Sequence, residues 1–468
     1  MVLAAVKDDL AALATAIRAC RLSPVDLVAR CLRRIQATEP GLHAFIHVDG
    51  EGALAAARQR EQEARRGEIR GPLHGIPIAV KDLFDQAGLP TTAGAAIRRS
   101  HRAAEHATAV RRLLDAGAVV IGKTNLHEFA FGVTSINPHF GAVANPWDRE
   151  RIAGGSSGGS GAAVAAGMCA AALGTDTGGS IRIPAALCGI VGLKPTLGRV
   201  SRHGVVPLAW SFDTVGPMAR TVRDAGLLLS VLAGPDPNDP LTVHYGPFTA
   251  ALPAPPSSFR VGRLRGPLFD EGLDDQVGAA LERACDLLAR AGGRVTSVTV
   301  ETAAAGQAAQ TAILFAEASA YHLRAYPGRL AEYGADVREL LAAGATIPAT
   351  AYVDAQRVQG VVVAQTRRVL EEVDLLICAA VPIPAPRIDE VDPARGDGWR
   401  RARGPLSRLT RFFNLTGLPA LSLPVGRTRE GLPIGVQLAS APGNEARLLG
   451  VAAVLEAAVD WTLPELAD

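Results

Sequence analysis

Gly75-Ile76-Pro77-Ile78-Ala79-Val80-Lys81-Asp82 is an apolar run closed by a glycine on one side and two charges on the other. A strand with one wet face alternates polar and apolar residues; this one does not, so both of its faces are expected to be covered. The same texture returns at Val119-Val120-Ile121 before Gly122, after a helical pattern around Thr108 to Leu114. It returns again at Phe259-Arg260-Val261-Gly262, at Arg294-Val295-Thr296-Ser297-Val298-Thr299-Val300 and at Val373-Asp374-Leu375-Leu376-Ile377-Cys378. Short β-branched runs alternating with helical stretches predict an α/β fold with a large twisted, mixed, mainly parallel β-sheet covered by helices on both faces.

Outward from that core, the first 70 residues read as helical. Ser23-Pro24-Val25-Asp26 offers an N-cap, a first-turn proline and a capping carboxylate, and Leu27, Cys31 and Ile35 continue as an apolar stripe. Thr302 to Arg368 is Ala-rich and helical in pattern. Near the end, Leu421-Ser422-Leu423-Pro424-Val425, a turn at Glu430-Gly431 and Ile434-Gly435-Val436-Gln437-Leu438 predict a strand pair, followed by a helix over about 444–459. Residues 235–258 and 382–393, rich in Pro and Asp, read as surface loops.

The chain has 468 residues, with 48 Lys+Arg against 46 Asp+Glu and a net charge of +2. That balance offers no electrostatic case for nucleic acid or an anionic membrane. At 48% hydrophobic and 20% charged it is a globular composition. Met1 to Leu10 lacks the basic flank and apolar core of a secretory signal, so a cytoplasmic setting is expected. The uncharged stretch Ile152 to Thr175 is mostly Gly, Ser and Ala and is not read as a membrane span. Six scattered cysteines and ten dispersed histidines leave no metal-ligand spacing legible, so no metal site is expected. Only four of the basic residues are lysine: Lys7, Lys81, Lys123 and Lys194. Arginine does not give up its proton in a protein and a buried lysine can, so chemistry that needs a neutral amine must keep lysine.

Gly154-Gly155-Ser156-Ser157-Gly158-Gly159-Ser160-Gly161, continued by Gly174-Thr175-Asp176-Thr177-Gly178-Gly179-Ser180-Ile181-Arg182, is where chemistry concentrates. A flexible linker would not run into an Ala/Val helix pattern and a second Gly-Gly-Ser. A phosphate cradle would need a Gly-Lys-Ser/Thr ending, which neither of these two runs carries. A nucleophile elbow needs a strand just before Gly154-Gly155-Ser156-Ser157-Gly158, where Asn145-Pro146-Trp147-Asp148-Arg149-Glu150-Arg151 does not read as a central strand, and a histidine after the serine, usually late in the chain, where the last is His322. The remaining reading is a Ser-Ser-Lys site. Lys81, at the end of an apolar run, is the base candidate because desolvation lowers a lysine's pKa.

These segments resemble the amidase signature family of serine hydrolases. The likeness runs from about residue 10 to the end. It includes Gly71-Pro72-Leu73-His74-Gly75-Ile76-Pro77, Gly122-Lys123-Thr124-Asn125, Asn137-Pro138-His139-Phe140-Gly141, Cys188-Gly189-Ile190-Val191-Gly192-Leu193-Lys194-Pro195-Thr196 and Gly431-Leu432-Pro433-Ile434-Gly435-Val436-Gln437. The resemblance implies one domain over 1–468, with a helical layer over 1–70 and a variable substrate-side region over about 235–400. It implies that Ser180 is the acylated nucleophile, that Ser156, preceded by a cis peptide bond, is the relay, and that Lys81 is the general base. The N–H groups of Thr177, Gly178, Gly179 and Ser180 would form the oxyanion hole, each donor worth about 3 kcal/mol in the transition state. Asp176 and Arg182 would hold the loop. No metal or organic cofactor is implied. Lys123 and Lys194 are read as structural, and Ser157 and Ser160 as cap or helix-surface residues. Adjacent residues point apart, so His127 and Glu128 are not read as an acid/base pair.

By the same resemblance the acyl pocket is lined by Phe129, Ala130, Phe131, Gly132, Val133 and Thr134. Family members that take small carboxylated amides carry an arginine three residues after the nucleophile; here that position is Ile183 and the arginine is Arg182. The expected activity is therefore a stand-alone amidase that cleaves a C–N bond of a neutral, apolar or aryl amide, anilide or carbamate, with ester or urethane cleavage as variants. Its expected partners are a small amide-type substrate, no nucleic acid and no membrane, in a monomer or a homodimer. The alternative is the glutaminase (A) subunit of a tRNA-dependent amidotransferase. Such proteins carry a Leu-Ala-Arg-Tyr-Asp-Gly type of segment, from which Ala316-Glu317-Ala318-Ser319-Ala320-Tyr321-His322-Leu323-Arg324-Ala325-Tyr326 departs.

Overall fold

The computed structural model describes residues 9–246, 248–249 and 258–464. The expectations for the first eight residues, and for 247 and 250–257 within the Pro-rich stretch, therefore lie outside the described residues. Eleven strands form one sheet: β1 (Phe45–Val48), β2 (Pro77–Lys81), β3 (Val119–Thr124), β4 (Ala171–Asp176), β5 (Val191–Lys194), β6 (Thr214–Ala219), β7 (Phe259–Arg265), β8 (Gly293–Thr299), β9 (Leu375–Ala379), β10 (Ala420–Arg427) and β11 (Pro433–Ser440). Their order is β1-β3-β2-β4-β6-β5-β10-β11-β9-β7-β8. The parallel pairing read from the apolar runs occupies two wings, β3-β2-β4 and β9-β7-β8. Between and beyond them the mixed sheet pairs antiparallel, including the C-terminal pair β10 and β11.

Every residue of β2 and β3 is buried, as a strand covered on both faces requires. Alternate side chains feed two separate cores. Ile78, Val80 and Val120 pack with Leu13 and Ile17 of the helix Leu10–Arg18, Leu113 of Thr108–Asp115 and Leu228 of Val222–Leu232. Ala79, Val119 and Ile121 face the other way, against Cys31 and Ile35 of Pro24–Leu42, Ala57 of Gly50–Arg65 and Val164 of Gly158–Ala165. Each fully buried branched side chain contributes roughly 1.5–3 kcal/mol, so this period-two division fixes the register of the sheet. The Ser23 hydroxyl caps the second helix, accepting from Val25 N–H at 3.1 Å and Asp26 N–H at 3.2 Å.

The N-terminal layer holds one element that helical periodicity hides: Phe45–Val48 is a strand at the sheet edge, antiparallel to β3. Its aromatic and β-branched residues suit a strand once β3 offers a free edge. The long Ala-rich region divides into the helices Ala303–Ala325, Ala335–Ala345 and Ala349–Glu372. Among the described residues, no helix is long and apolar enough to cross a membrane.

Two features of this sheet place the site. Strands β2 and β4 are parallel neighbours, with Val80 opposite Leu173, so the chain emerging from both C-terminal ends meets at Lys81 and Thr175. Ligand sites in such sheets lie outside the carboxyl ends of the strands.

Candidate active site

Lys81 is fully buried, and its Nζ lies 2.8 Å from Ser156 Oγ, 2.9 Å from Ser157 Oγ and 2.8 Å from Thr175 Oγ1. Hydroxyls surround the amine and no carboxylate forms an ion pair with it among the described residues. Burial pulls the Lys81 ammonium down to about 7, against the weaker opposite pull of Asp176 and Asp213. At that value a neutral amine is well populated near neutral pH.

Proton bookkeeping separates the two adjacent serines. The Ser157 hydroxyl donates to the Thr175 carbonyl at 3.2 Å, so its oxygen faces Lys81 as an acceptor. Among the described residues Ser156 has no such carbonyl, and its hydroxyl meets only Lys81 Nζ. A neutral amine has two N–H donors and one lone pair. It can donate to Ser157 and Thr175 and accept the proton of Ser156. Ser157 is therefore more than a cap; indeed it makes no side-chain cap to the helix it precedes. Ser160 is likewise buried, donating to the Leu173 carbonyl at 2.9 Å. The peptide between Gly155 and Ser156 is cis, as the resemblance implied.

Beyond β4 the chain turns through Thr177-Gly178-Gly179-Ser180 into the helix Arg182–Cys188. The Asp176 carboxylate organises this turn, accepting from Gly179 N–H at 2.8 Å and Ile181 N–H at 3.2 Å, and pairing with Arg182 at 2.9 Å. Burial would push the Asp176 carboxyl up, but Arg182 and the Asn414 amide outweigh it and hold the group at about 2. Arg182 is saturated in turn by the Thr410 carbonyl, Gln437 and Asn414 at 3.0, 2.9 and 2.7 Å.

One expectation changes here: the Gly179 N–H is committed to Asp176 and is not available to an incoming oxygen. Gly179 is a glycine for a different reason, with φ at +123° and a place where a Cβ would sit 2.1 Å from Thr410 Oγ1.

Ala130, Phe131, Gly132 and Val133 line a cleft with Thr177, Gly178 and Ser180. Phe129 does not line it. Left-handed backbone at Phe129 and Ala130, with φ of +49° and +61°, turns the Phe129 ring into an aromatic cluster, 4.5 Å from His322 and 5.4 Å from Tyr333. Thr134 belongs to a neighbouring recess, where its hydroxyl lies 3.3 Å from His127 Nδ1. His127 and Glu128 do point apart, to Asp336 at 2.9 Å and His139 at 3.0 Å respectively. Lys123 pairs with Asp82 at 2.9 Å, and Lys194 donates to the Pro195 carbonyl at 2.9 Å.

The helix Gly398–Leu415 joins the site without any motif to announce it. Thr410 donates to the Gly178 carbonyl at 2.7 Å, and Asn414 donates to Asp176 Oδ1 at 2.8 Å. The only sequence signal is a set of polar residues on the apolar face around Phe412 and Phe413.

A buried amine among hydroxyls, beside a Gly-rich turn that carries a further serine, is equipment suited to an acyl-transfer hydrolase acting on amide-type bonds. The family model described as Amidase matches residues 26–449, and the chain belongs to that family. It is 40% identical to the glutamyl-tRNA(Gln) amidotransferase (A) subunit of Chloroflexus aggregans, covering 96% of this chain and 95% of that one. The crystal structure of the protein of the same name from Thermotoga maritima superposes with a TM-score of 0.83 at 32% identity, covering 99% of this chain and 98% of the other. A peptide amidase from Stenotrophomonas maltophilia gives 0.84 at 31% identity, with 97% of each chain covered.

These relatives overturn two expectations: a stand-alone hydrolase of neutral, apolar or aryl substrates, and a partner set without nucleic acid. Charge balance weighs only this chain's own surface, and one component can serve a nucleic-acid-handling assembly without a basic face of its own. The departure at 316–326 does not weigh against the amidotransferase relatives either. That segment lies in and just beyond the helix Ala303–Ala325 and has packing duties: Glu317 accepts from Ser211 N–H at 3.0 Å, and His322 and Tyr326 pack on Phe129.

Proposed function

We propose that this chain is the glutaminase (A) subunit of a tRNA-dependent amidotransferase, working in the cytoplasm with partner subunits. The observation that carries this reading is the 40% identity to a glutamyl-tRNA(Gln) amidotransferase component along nearly the whole of both chains. In the reaction, neutral Lys81 takes the proton of Ser156, which takes that of Ser180 as Ser180 Oγ attacks the side-chain amide carbon of glutamine. The oxygen that becomes negative is met by the N–H groups of Thr177, Gly178 and Ser180, and preorganised donors of this kind are worth about 3 kcal/mol each. Lys81 returns the proton through Ser156 to the departing nitrogen, releasing ammonia, and water then hydrolyses the acyl-Ser180 ester by the same relay. Asp176 and Arg182 hold the turn and exchange no proton.

The test is to assay ammonia release from glutamine, and amidation of glutamyl-tRNA(Gln), first with the chain alone and then with the partner subunits added. Turnover that appears only with partners supports the reading. Silence toward glutamine with partners present, alongside efficient cleavage of simple amides by the lone chain, would reject it.

A further inference from the structure

Two guanidinium groups enter the cleft beside Ser180, and among the described residues neither forms an ion pair with a carboxylate. Arg403, Ser407 and Arg411 recur every fourth residue on the helix Gly398–Leu415, and all three line the cleft that holds Thr177, Gly178 and Ser180. Arg411 is only 6% exposed; its Nη1 donates to Thr311 Oγ1 at 2.8 Å, while its Nε has no acceptor. A Cβ placed on Gly178 would lie 3.5 Å from Arg411 Cγ, so the side chain runs along the turn that leads to Ser180. Arg403 stands over the Phe315 ring at 4.7 Å and the Phe131 ring at 5.7 Å, and its Nε also lacks an acceptor.

The carboxylate that acts on Arg403 is Asp336, which His127 already engages at 2.9 Å. Arg182, by contrast, shows how this fold satisfies a buried guanidinium when the group is structural: every side faces an acceptor. Burial pulls Arg411 down to about 10, and pulls Arg403 down as well, with Arg411 adding repulsion. Buried like charges without a counter-ion are costly, and a planar fork of donors matches a carboxylate.

We propose that Arg411 and Arg403 form a carboxylate subsite, so that the amide cleaved at Ser180 bears a carboxylate on its acyl part. The assignment to the acyl part rests on the function proposed above, in which the leaving group is ammonia. It also revises the neutral substrate read from Ile183: the missing arginine of the nucleophile helix is supplied by a helix from the other end of the chain.

Calorimetric titration of the full chain carrying Ser180→Ala, with succinamate and with butyramide, isolates the effect, because these differ by a carboxylate in place of a methyl. Glutaramate and valeramide repeat the comparison one carbon longer. The expected result is at least tenfold tighter binding of the carboxylated member in one pair. Adding Arg411→Met should bring that ratio close to one and raise the melting temperature, since an uncompensated charge is removed; Arg411→Lys should keep part of the ratio. Arg403→Met, nearer the rim, supplies the same reading should Arg411→Met not fold. Equal binding within both pairs, or a preference that survives both Met variants, overturns the subsite. Failure of glutamine turnover with the preference intact would reject the amidotransferase reading and keep the subsite; glutamine turnover without the preference would do the reverse.

Discussion

Lys81 and Lys123 stand on neighbouring parallel strands, one register step apart, and neither exposes any surface. Around Lys123 the chain places the Asp82 carboxylate at 2.9 Å and the Pro90 carbonyl at 2.9 Å. Around Lys81 it places three hydroxyls. Equal burial thus has opposite outcomes. Asp82 makes Lys123 one arm of an ion-paired brace; the hydroxyls around Lys81 carry no charge, so desolvation prevails there and the amine is poised to take a proton. Lys194 completes the contrast. Burial, then repulsion from Arg182, draws it to about 7 as well, yet among the described residues its amine donates only to the Pro195 carbonyl. A lowered pKa without a hydroxyl to deprotonate does not make a base.

The sharpest way to break this contrast is at Lys81 itself. In the proposed reaction Ser180→Ala should lose roughly 10⁴-fold or more in kcat, and Lys81→Met about 10²- to 10⁴-fold, with unfolding curves showing both variants folded. Lys123→Met should do the reverse. It strands Asp82 and is expected to cost about 3–5 kcal/mol in urea unfolding, most of it recovered when Asp82→Leu is added. Indifference of stability to Lys123→Met would dissolve the distinction.

Acid provides the next test. Below pH about 7 Lys81 holds its proton and cannot receive another, so kcat/KM should fall about tenfold per pH unit. Stability moves in a different window. Folded Lys81 and Lys194 titrate near 7 and the unfolded chain near 10.5, so between those values the unfolded chain binds the extra protons. Stability should therefore rise with pH across that window, by up to about 1.4 kcal/mol per unit for each lysine, and each Lys→Met change should flatten the rise. The smallest effect belongs to Ser157→Ala, which removes one acceptor from Lys81 while leaving Ser156 in place. A loss of about 1 kcal/mol, near fivefold in kcat, is expected, against a far larger loss in Ser156→Ala.

Local texture was enough to single out Lys81 and the Gly/Ser-rich runs around Ser156 and Ser180, because a covered strand and a Gly/Ser turn announce themselves within ten or so residues; the separate roles of Ser156, Ser180, Asp176 and Arg182 rest on the family resemblance. It failed wherever the deciding contact came from far along the chain. Thr410 meets Gly178 across 232 positions, and nothing in either segment specifies the other. The edge strand Phe45–Val48 exists because β3 had a free edge, and Phe129 left the pocket because two left-handed residues turned its ring inward. Reading substrate from single positions failed for a related reason. Ile183 by itself suggests a neutral ligand, while Arg411, from a distant helix, faces the cleft that holds Ser180.

The order of residues by itself determined that a strand would be covered on both faces and end in a scarce lysine, and that a separate run of small, hydroxyl-bearing residues would lie further along the chain, since hydrophobic pattern and backbone freedom are properties of neighbours in the chain. Which buried amine met a carboxylate and which met hydroxyls was decided only by the tertiary structure. Charge acts through space, and the fold alone determines which distant groups come within a few ångströms of one another.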